Sequence, residues 1–345
     1  MTWTKDDNDK NEAGGADEII AEVLARKKIA AYVERAVSGT DLMAMDDDAA
    51  EFLIDGVVED DTTTLLIGPP GSFKSLLAQS WSWCVGAFTP WLGHQAWEGG
   101  ALYVYGEGPR SLSPRMRAWA AQNNGGYWPE AATWTGMAMP GLLGRKDAWQ
   151  ALHQVVKERL DGSLRLVCFD TLSSLWGGAG EANDTAADTI AAVTEFRMRY
   201  GAAAVVVHHV GWTNRMRARG SSTLEANADT VLAMVKTSKN TAQLHATKRR
   251  DGSSGVVCDL RLAPMDGTGS VVLELGDEVA SWQSRIRVAL TLAAGEAVET
   301  ADLMVAVGVE RGGAGYSGFR KALTALRSAG EVVGERGVQQ LKAVL

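Results

Sequence analysis

Apolar residues follow two rhythms along this chain. Between about residues 52 and 276, short apolar runs alternate with stretches whose apolar positions recur at helical spacing. The clearest runs are TTLLIG (63–68), ALYVYG (101–106), LRLVCFD (164–170), AAVVVHH (203–209), TVLAMVK (230–236) and QLHATKR (243–249). Such alternation predicts an α/β fold, a mostly parallel sheet flanked by helices. Upstream, residues 1–16 are polar and expected to be disordered. Residues 16–37 have helical spacing, with acids early and bases late, which suits the helix dipole. Residues 38–50 read as a linker. Downstream, 281–345 holds three helical runs near 283–294, 300–307 and 316–329, followed by AGEVVGERGVQQL as a β turn. That order resembles a small winged helix-turn-helix. The expected divisions are an acidic N-terminal region (1–50), an α/β core (51–278) and a winged-helix-like tail (281–345). No internal repeat is present.

Composition narrows the class. The chain has 345 residues, 46% hydrophobic and 22% charged, as in ordinary globular proteins. Cys84, Cys168 and Cys258 lie far apart, so neither a disulfide framework nor a zinc site is indicated, and a reducing cytoplasm fits. No signal peptide or membrane-spanning run is read. Net charge is −8, of which −6 lies in residues 1–50. An acidic chain is a poor candidate for gripping DNA over its whole outer surface. Basic loops, or the inside of a ring, remain open to it.

The chemistry begins at GPPGSFKS (68–75). Gly68, Gly71, Lys74 and Ser75 have the spacing of a Walker A loop, after an apolar strand and before a helix. Backbone N–H groups at a helix N-terminus cradle phosphates. The expected ATP-binding residues are therefore Gly68, Pro69, Pro70, Gly71, Ser72, Phe73, Lys74, Ser75 and Leu76. Lys74 would serve the terminal phosphates and Ser75 would ligate Mg²⁺. Phe73 stands where the usual pattern has glycine. It is tolerable if its backbone angle stays negative and its ring turns away from the phosphates. Asp170 ends a buried strand and is the candidate Walker B carboxylate for Mg²⁺; capping is its bland alternative. Glu107 follows another strand and is placed to activate water, against the reading of an exposed loop carboxylate. His208 and His209 end a third strand, where one could sense the γ-phosphate or both could simply hydrogen-bond.

Together these residues resemble the RepA-like replicative helicase family of RecA-type ATPases, known from plasmids and phages. The likeness runs from FLIDGVV (52–58) to about residue 262. It includes RLVCFDTLSSLWGGAGEANDT, VVVHHVGW, RARGSSTLEANADTVLAMV and ATKRRDG. Phosphate loops with Phe before Lys occur among these relatives. The resemblance implies a RecA-like core and a homo-oligomer, usually a six-membered ring with ATP between subunits. It matches Lys248 and Arg250 to a finger reaching the neighbour's ATP, and Arg219 and Ser221 to phosphate or the channel. Residues 211–220 carry Arg215, Arg217 and Arg219 and no acid. Six copies would make a cationic collar for single-stranded DNA, so that the outside is negative and the pore positive. Glu181, Asn183 and Asp184 would lie near the magnesium. A replication initiator or primase is a candidate partner, and no membrane is.

Most of the twelve tryptophans read as packing. Arg320, Lys321 and Arg327 fall on the third helix of the tail, a place for DNA contacts. The tail's eight basic and six acidic residues make a protein-contacting role nearly as good. The reading is an ATP-hydrolysing motor on single-stranded DNA. Two alternatives stand beside it: a RecA-like recombination or regulatory ATPase without unwinding, and a DNA-binding regulator that uses nucleotide as a switch.

Overall fold

The computed structural model describes residues 33, 36, 38–44, 52–139, 141, 145–176, 183–210, 222–249, 254–276, 281–293, 296–313, 315–328, 330–334 and 338–341. The chain forms two units, 1–49 and 50–345. Almost all of the helix expected at 16–37 lies outside the described residues. The stretch read as a linker instead opens with a helix, α1 (Gly39–Ala44). The Asp41 amide donates to the Ser38 hydroxyl, which in turn donates to the Asp41 carboxylate at 2.6 Å. This N-cap is spelled by Ser-x-x-Asp in the sequence.

The second unit begins with a hairpin of β1 (Phe52–Ile54) and β2 (Val58–Glu59). Next come β3 (Thr63–Gly68), α2 (Lys74–Gly86), β4 (Ala101–Tyr105), α3 (Pro109–Asn123), β5 (Trp134–Ala138), α4 (Lys146–Arg159), β6 (Leu166–Asp170), α5 (Leu172–Leu175), α6 (Asn183–Tyr200) and β7 (Ala203–His209). The core closes with α7 (Ser222–Asn227), β8 (Thr230–Lys236), β9 (Thr241–Lys248), β10 (Gly255–Met265) and β11 (Ser270–Leu275). These strands make one nine-stranded sheet in the order β11-β10-β9-β8-β3-β7-β6-β4-β5. The six strands from β8 to β5 are parallel, and β9, β10 and β11 add an antiparallel meander. This is the RecA-like mostly parallel sheet that the resemblance implied.

Burial explains the sequence rhythm. β3 and β6 are buried at every position, as strands covered on both faces must be, and so read as unbroken apolar runs. Leu66, Tyr103, Cys168 and Val205 face one core with α2 and α3. Leu65, Val104, Phe169 and Val206 face the other, against α4, α5 and α6. Ion pairs close the sheet end away from the phosphate loop. Buried Arg197 donates to the Thr63 hydroxyl at 3.0 Å and to the Asp61 carboxylate at 2.6 Å, and Arg165 reaches Asp60 at 2.6 Å. Cys84, Cys168 and Cys258 are buried and free.

The tail folds as α8 (Ser281–Leu292), β12 (Val298–Glu299), α9 (Thr300–Ala306), α10 (Tyr316–Ser328), β13 (Val332–Val333) and β14 (Val338–Leu341). The three strands pair in the order β12-β14-β13, giving the winged-helix arrangement. Its core gathers Ile286, Leu290, Leu303, Phe319, Leu323 and Leu326. The Trp282 ring lies so close to α10 that a Cβ on Gly318 would sit 2.5 Å from its indole nitrogen. Among the described residues, no helix is long and apolar enough to cross a membrane.

Candidate functional site

The loop between β3 and α2 sits at the carboxyl end of the parallel strands, where open α/β sheets place their ligands. Gly68 begins it because nothing larger fits: a Cβ would lie 2.7 Å from both the Met234 carbonyl oxygen and the Ser72 hydroxyl. Gly71 has φ of 71°. Phe73 also has φ of 71°, contrary to the expected negative angle. The turn into α2 demands a left-handed residue, and Phe accepts a strain of about 1–2 kcal/mol to supply it. The ring has a place in the fold. It packs against the α2-side core, with the Lys236 ammonium 5.5 Å from its centroid.

Phe73 is the N-cap of α2 and provides no side-chain cap. The first-turn amides of such a helix have no intrahelical acceptor and point outward. The Ser72 hydroxyl is buried with no hydrogen-bond partner. Lys74 is 4% exposed, and its ammonium donates back to the Gly68 and Pro69 carbonyls at 2.7 and 2.9 Å. Burial pulls its pKa down to about 8, against the opposing pull of Asp170.

Asp170, 5% exposed, ends β6 beside β3's loop. One carboxylate oxygen accepts from the Ser75 hydroxyl at 3.1 Å and the other from the Tyr103 hydroxyl. Burial raises its pKa; the hydrogen bonds from Tyr103 and Ser75 and the charge of Lys74 oppose that shift, and Glu107 adds to it. A cis peptide bond joins Asp170 to Thr171. Thr171 then caps α5, and its hydroxyl lies 3.4 Å from the Glu107 carboxylate. Gly106 permits this neighbourhood. Its amide donates to the Asp170 carbonyl at 3.0 Å, and a Cβ there would lie 2.4 Å from the Ser174 hydroxyl. The Lys74–Ser75 pair, Asp170 and Glu107, far apart in sequence, therefore gather at the carboxyl end of the parallel strands, with Glu107 exposed at the rim.

The histidines separate. His208 pairs in register with Ile67, is fully buried, and meets the Trp176 ring edge-on at 5.7 Å. It faces the core on the side away from α2, which does not suit it to touch a phosphate. His209 pairs with Gly68, is half-buried, and occupies the α2 side by strand alternation. At the other basic cluster, the Lys248 ammonium donates to the carbonyls of Glu225, Ala226 and Ala228 at 2.9, 2.9 and 2.7 Å. All three of its protons are thus engaged at the end of α7. Arg249 donates to the Gly56 carbonyl at 2.7 Å and lies over the Phe52 ring. Arg215, Arg217, Arg219, Ser221, Arg250 and Glu181 lie outside the described residues, and Asn183 and Asp184 belong to α6 without described side chains. Arg320 and Lys321 are exposed on α10, whereas Arg327 donates to the Gln339 side chain at 3.0 Å.

Sequence reasoning passed over Tyr103 and Gly106. Tyr103 carried a signal, a hydroxyl in the middle of a strand buried at all but its last residue. Gly106 had only its place beside Glu107.

The family model for the AAA domain matches residues 34–215, a little over half of the chain. The chain belongs to that AAA domain family. Among solved structures, the crystal structure of the RadB recombinase is similar, with a TM-score of 0.44 and 14% identity, over 63% of this chain and 92% of that one. No curated protein matches. The site fits a nucleotide-binding phosphate loop. An uncapped helix start, a buried unpartnered hydroxyl and a lysine resting on loop carbonyls suit a triphosphate. Ser75 and Asp170, joined by a hydrogen bond, suit Mg²⁺ at oxygen ligands.

Proposed function

We propose that this AAA domain hydrolyses ATP with Mg²⁺ and couples hydrolysis to movement along single-stranded DNA, as a ring-forming motor of the RepA-like kind. One observation carries the reading: Lys74, Ser75, Asp170 and Glu107 converge on an uncapped helix start at the carboxyl end of the parallel strands. Lys74 leaves its carbonyls to meet the terminal phosphates. Ser75 and Asp170 would hold Mg²⁺, which when bound would supply charge neutralisation for the phosphoryl group. Glu107 orients water and takes its proton. His209, rather than His208, is the candidate phosphate sensor. Arg250 of one subunit reaches the neighbour's ATP. Arg215, Arg217 and Arg219 grip the strand backbone, with Arg320 and Lys321 as a second contact, and an initiator or primase loads the ring in the cytoplasm.

Turnover of ATP with and without single-stranded DNA tests the reading, with Glu107→Gln as the control. That variant should bind nucleotide normally and turn over about a hundredfold more slowly or worse. Full turnover in Glu107→Gln would overturn the assignment. A second reading is favoured by the commitment of Lys248 to its own chain, which leaves fewer groups for a neighbour. It is a RecA-like ATPase that binds DNA without unwinding. Forked-DNA displacement, with mass measured in the presence of ATP and Mg²⁺, separates the two.

A further inference from the structure

Asp170 is held from behind by a run of side chains that the catalytic reading leaves unused. Tyr103 lies in the middle of β4 and is 1% exposed. Its hydroxyl donates to Oδ2 of Asp170. The same hydroxyl accepts from Nε2 of Gln79 at 3.0 Å. Oε1 of Gln79 accepts from Arg115 on α3 at 3.2 Å.

The direction of this run is fixed at its far end. A guanidinium only donates, so Gln79 must turn its oxygen to Arg115 and its NH₂ to Tyr103. That NH₂ takes a lone pair of the tyrosine oxygen. The phenol proton is then left for Asp170. Oδ2 is occupied by that proton, and Oδ1 is the oxygen on the Ser75 side. We propose that Tyr103 is a positioning residue: backed by Gln79 and Arg115, it holds the Asp170 carboxylate so that Oδ1, with Ser75, is presented to Mg²⁺. This rests on the nucleotide-site reading above. It adds a route by which α3, whose N-terminus directly follows the Glu107 loop, bears on the metal-binding carboxylate.

A fluorescent non-hydrolysable ATP analogue tests it, titrated into the full chain at varied MgCl₂ and, separately, in EDTA. In Tyr103→Phe the Mg²⁺ needed for half-maximal enhancement of binding should rise about tenfold, the usual cost of losing an outer-shell partner. Binding in EDTA should match the parent. Arg115→Met, on a half-buried helix position, frees the Gln79 amide to turn and should raise the Mg²⁺ requirement about threefold, the scale of one modest hydrogen bond. It keeps the question answerable if Tyr103→Phe does not fold. A Mg²⁺ requirement equal to the parent's in both variants would overturn the proposal, as would equal losses with Mg²⁺ and in EDTA. Binding by the parent that ignores Mg²⁺ would overturn the nucleotide-site reading itself, and this inference with it.

Discussion

Two lysines of this chain rest on backbone carbonyls, and they do so at opposite ends of helices. Lys74 lies at the start of α2, folded back on two carbonyls of the loop before it, buried and with its pKa drawn down to about 8. Lys248 lies at the end of α7, on three carbonyls. The end of a helix leaves carbonyls wanting donors, so Lys248 completes a structure. The start of a helix is the positive pole, where a cation is disfavoured and an anion welcome. Lys74 is held in a place that phosphate improves. Similar contacts thus serve a residue poised for a ligand and a residue locked in the fold.

Substitution should pull the two apart most strongly in turnover. Lys74→Ala is expected to lower kcat/KM for ATP about a thousandfold with little loss of folding stability. Lys248→Ala should keep most turnover and instead lose about 1–2 kcal/mol of stability, from carbonyls left without a donor. Steady-state ATPase and thermal melts on the same samples check both. A thousandfold loss in Lys248→Ala at an unchanged melting temperature would erase the contrast and return that lysine to the finger role.

Gly106→Ala sharpens the comparison at the carboxylate side. The added methyl meets Ser174 and must displace the Glu107 loop. Turnover should fall about tenfold to a hundredfold, with nucleotide binding nearly kept, as a misplaced catalytic group predicts.

Proton linkage gives a smaller effect. Below pH 8 the folded and unfolded chains both carry the Lys74 proton, and the buried charge costs stability. Between about 8 and the unperturbed 10.5 the folded chain releases the proton first, so stability without nucleotide should rise with pH across that window. ATP favours the charged lysine, so its affinity should fall as pH climbs above 8. Thermal shift series with and without nucleotide measure both slopes, and Lys74→Met should flatten them.

Smallest is the strain at Phe73. Phe73→Ala loses ring packing and keeps the left-handed backbone; Phe73→Gly loses the same packing and relieves it. The glycine variant should be the more stable of the two by about 1 kcal/mol. Chemical denaturation of the pair reads the difference.

What the sequence made legible follows from burial and locality. β3, β4, β6, β7 and β8 were visible because strands covered on both faces are mostly apolar, and β9 because its middle is buried. β5 was not, being a partly exposed edge strand. β10 and β11 hid behind charges that the fold pairs across strands: Arg261 faces Glu274 in register and bonds it at 2.5 Å. Pro264 lies beyond the last β9 partner of β10, where no ladder donor is needed on that side. The phosphate loop was legible because its chemistry is local to eight residues. The sign of φ at Phe73 was not, because side-chain identity argued one way and the turn required the other. Lys248 looked available because the carbonyls it serves lie some twenty residues upstream. His208 and His209 could be told apart only once the register fixed which face each one takes.

The tryptophans beside α2 give the molecule an optical consequence. Trp83, Trp119, Trp128 and Trp134 form a chain of ring contacts with centroids 5.6–6.4 Å apart. Indoles at such spacing exchange excitation, so their emission behaves as that of one unit. Trp83 belongs to the helix that starts at the phosphate loop and Trp119 to the helix that carries Arg115, so any shift between the two bodies should change the quantum yield, a label-free signal for following events at the nucleotide in real time.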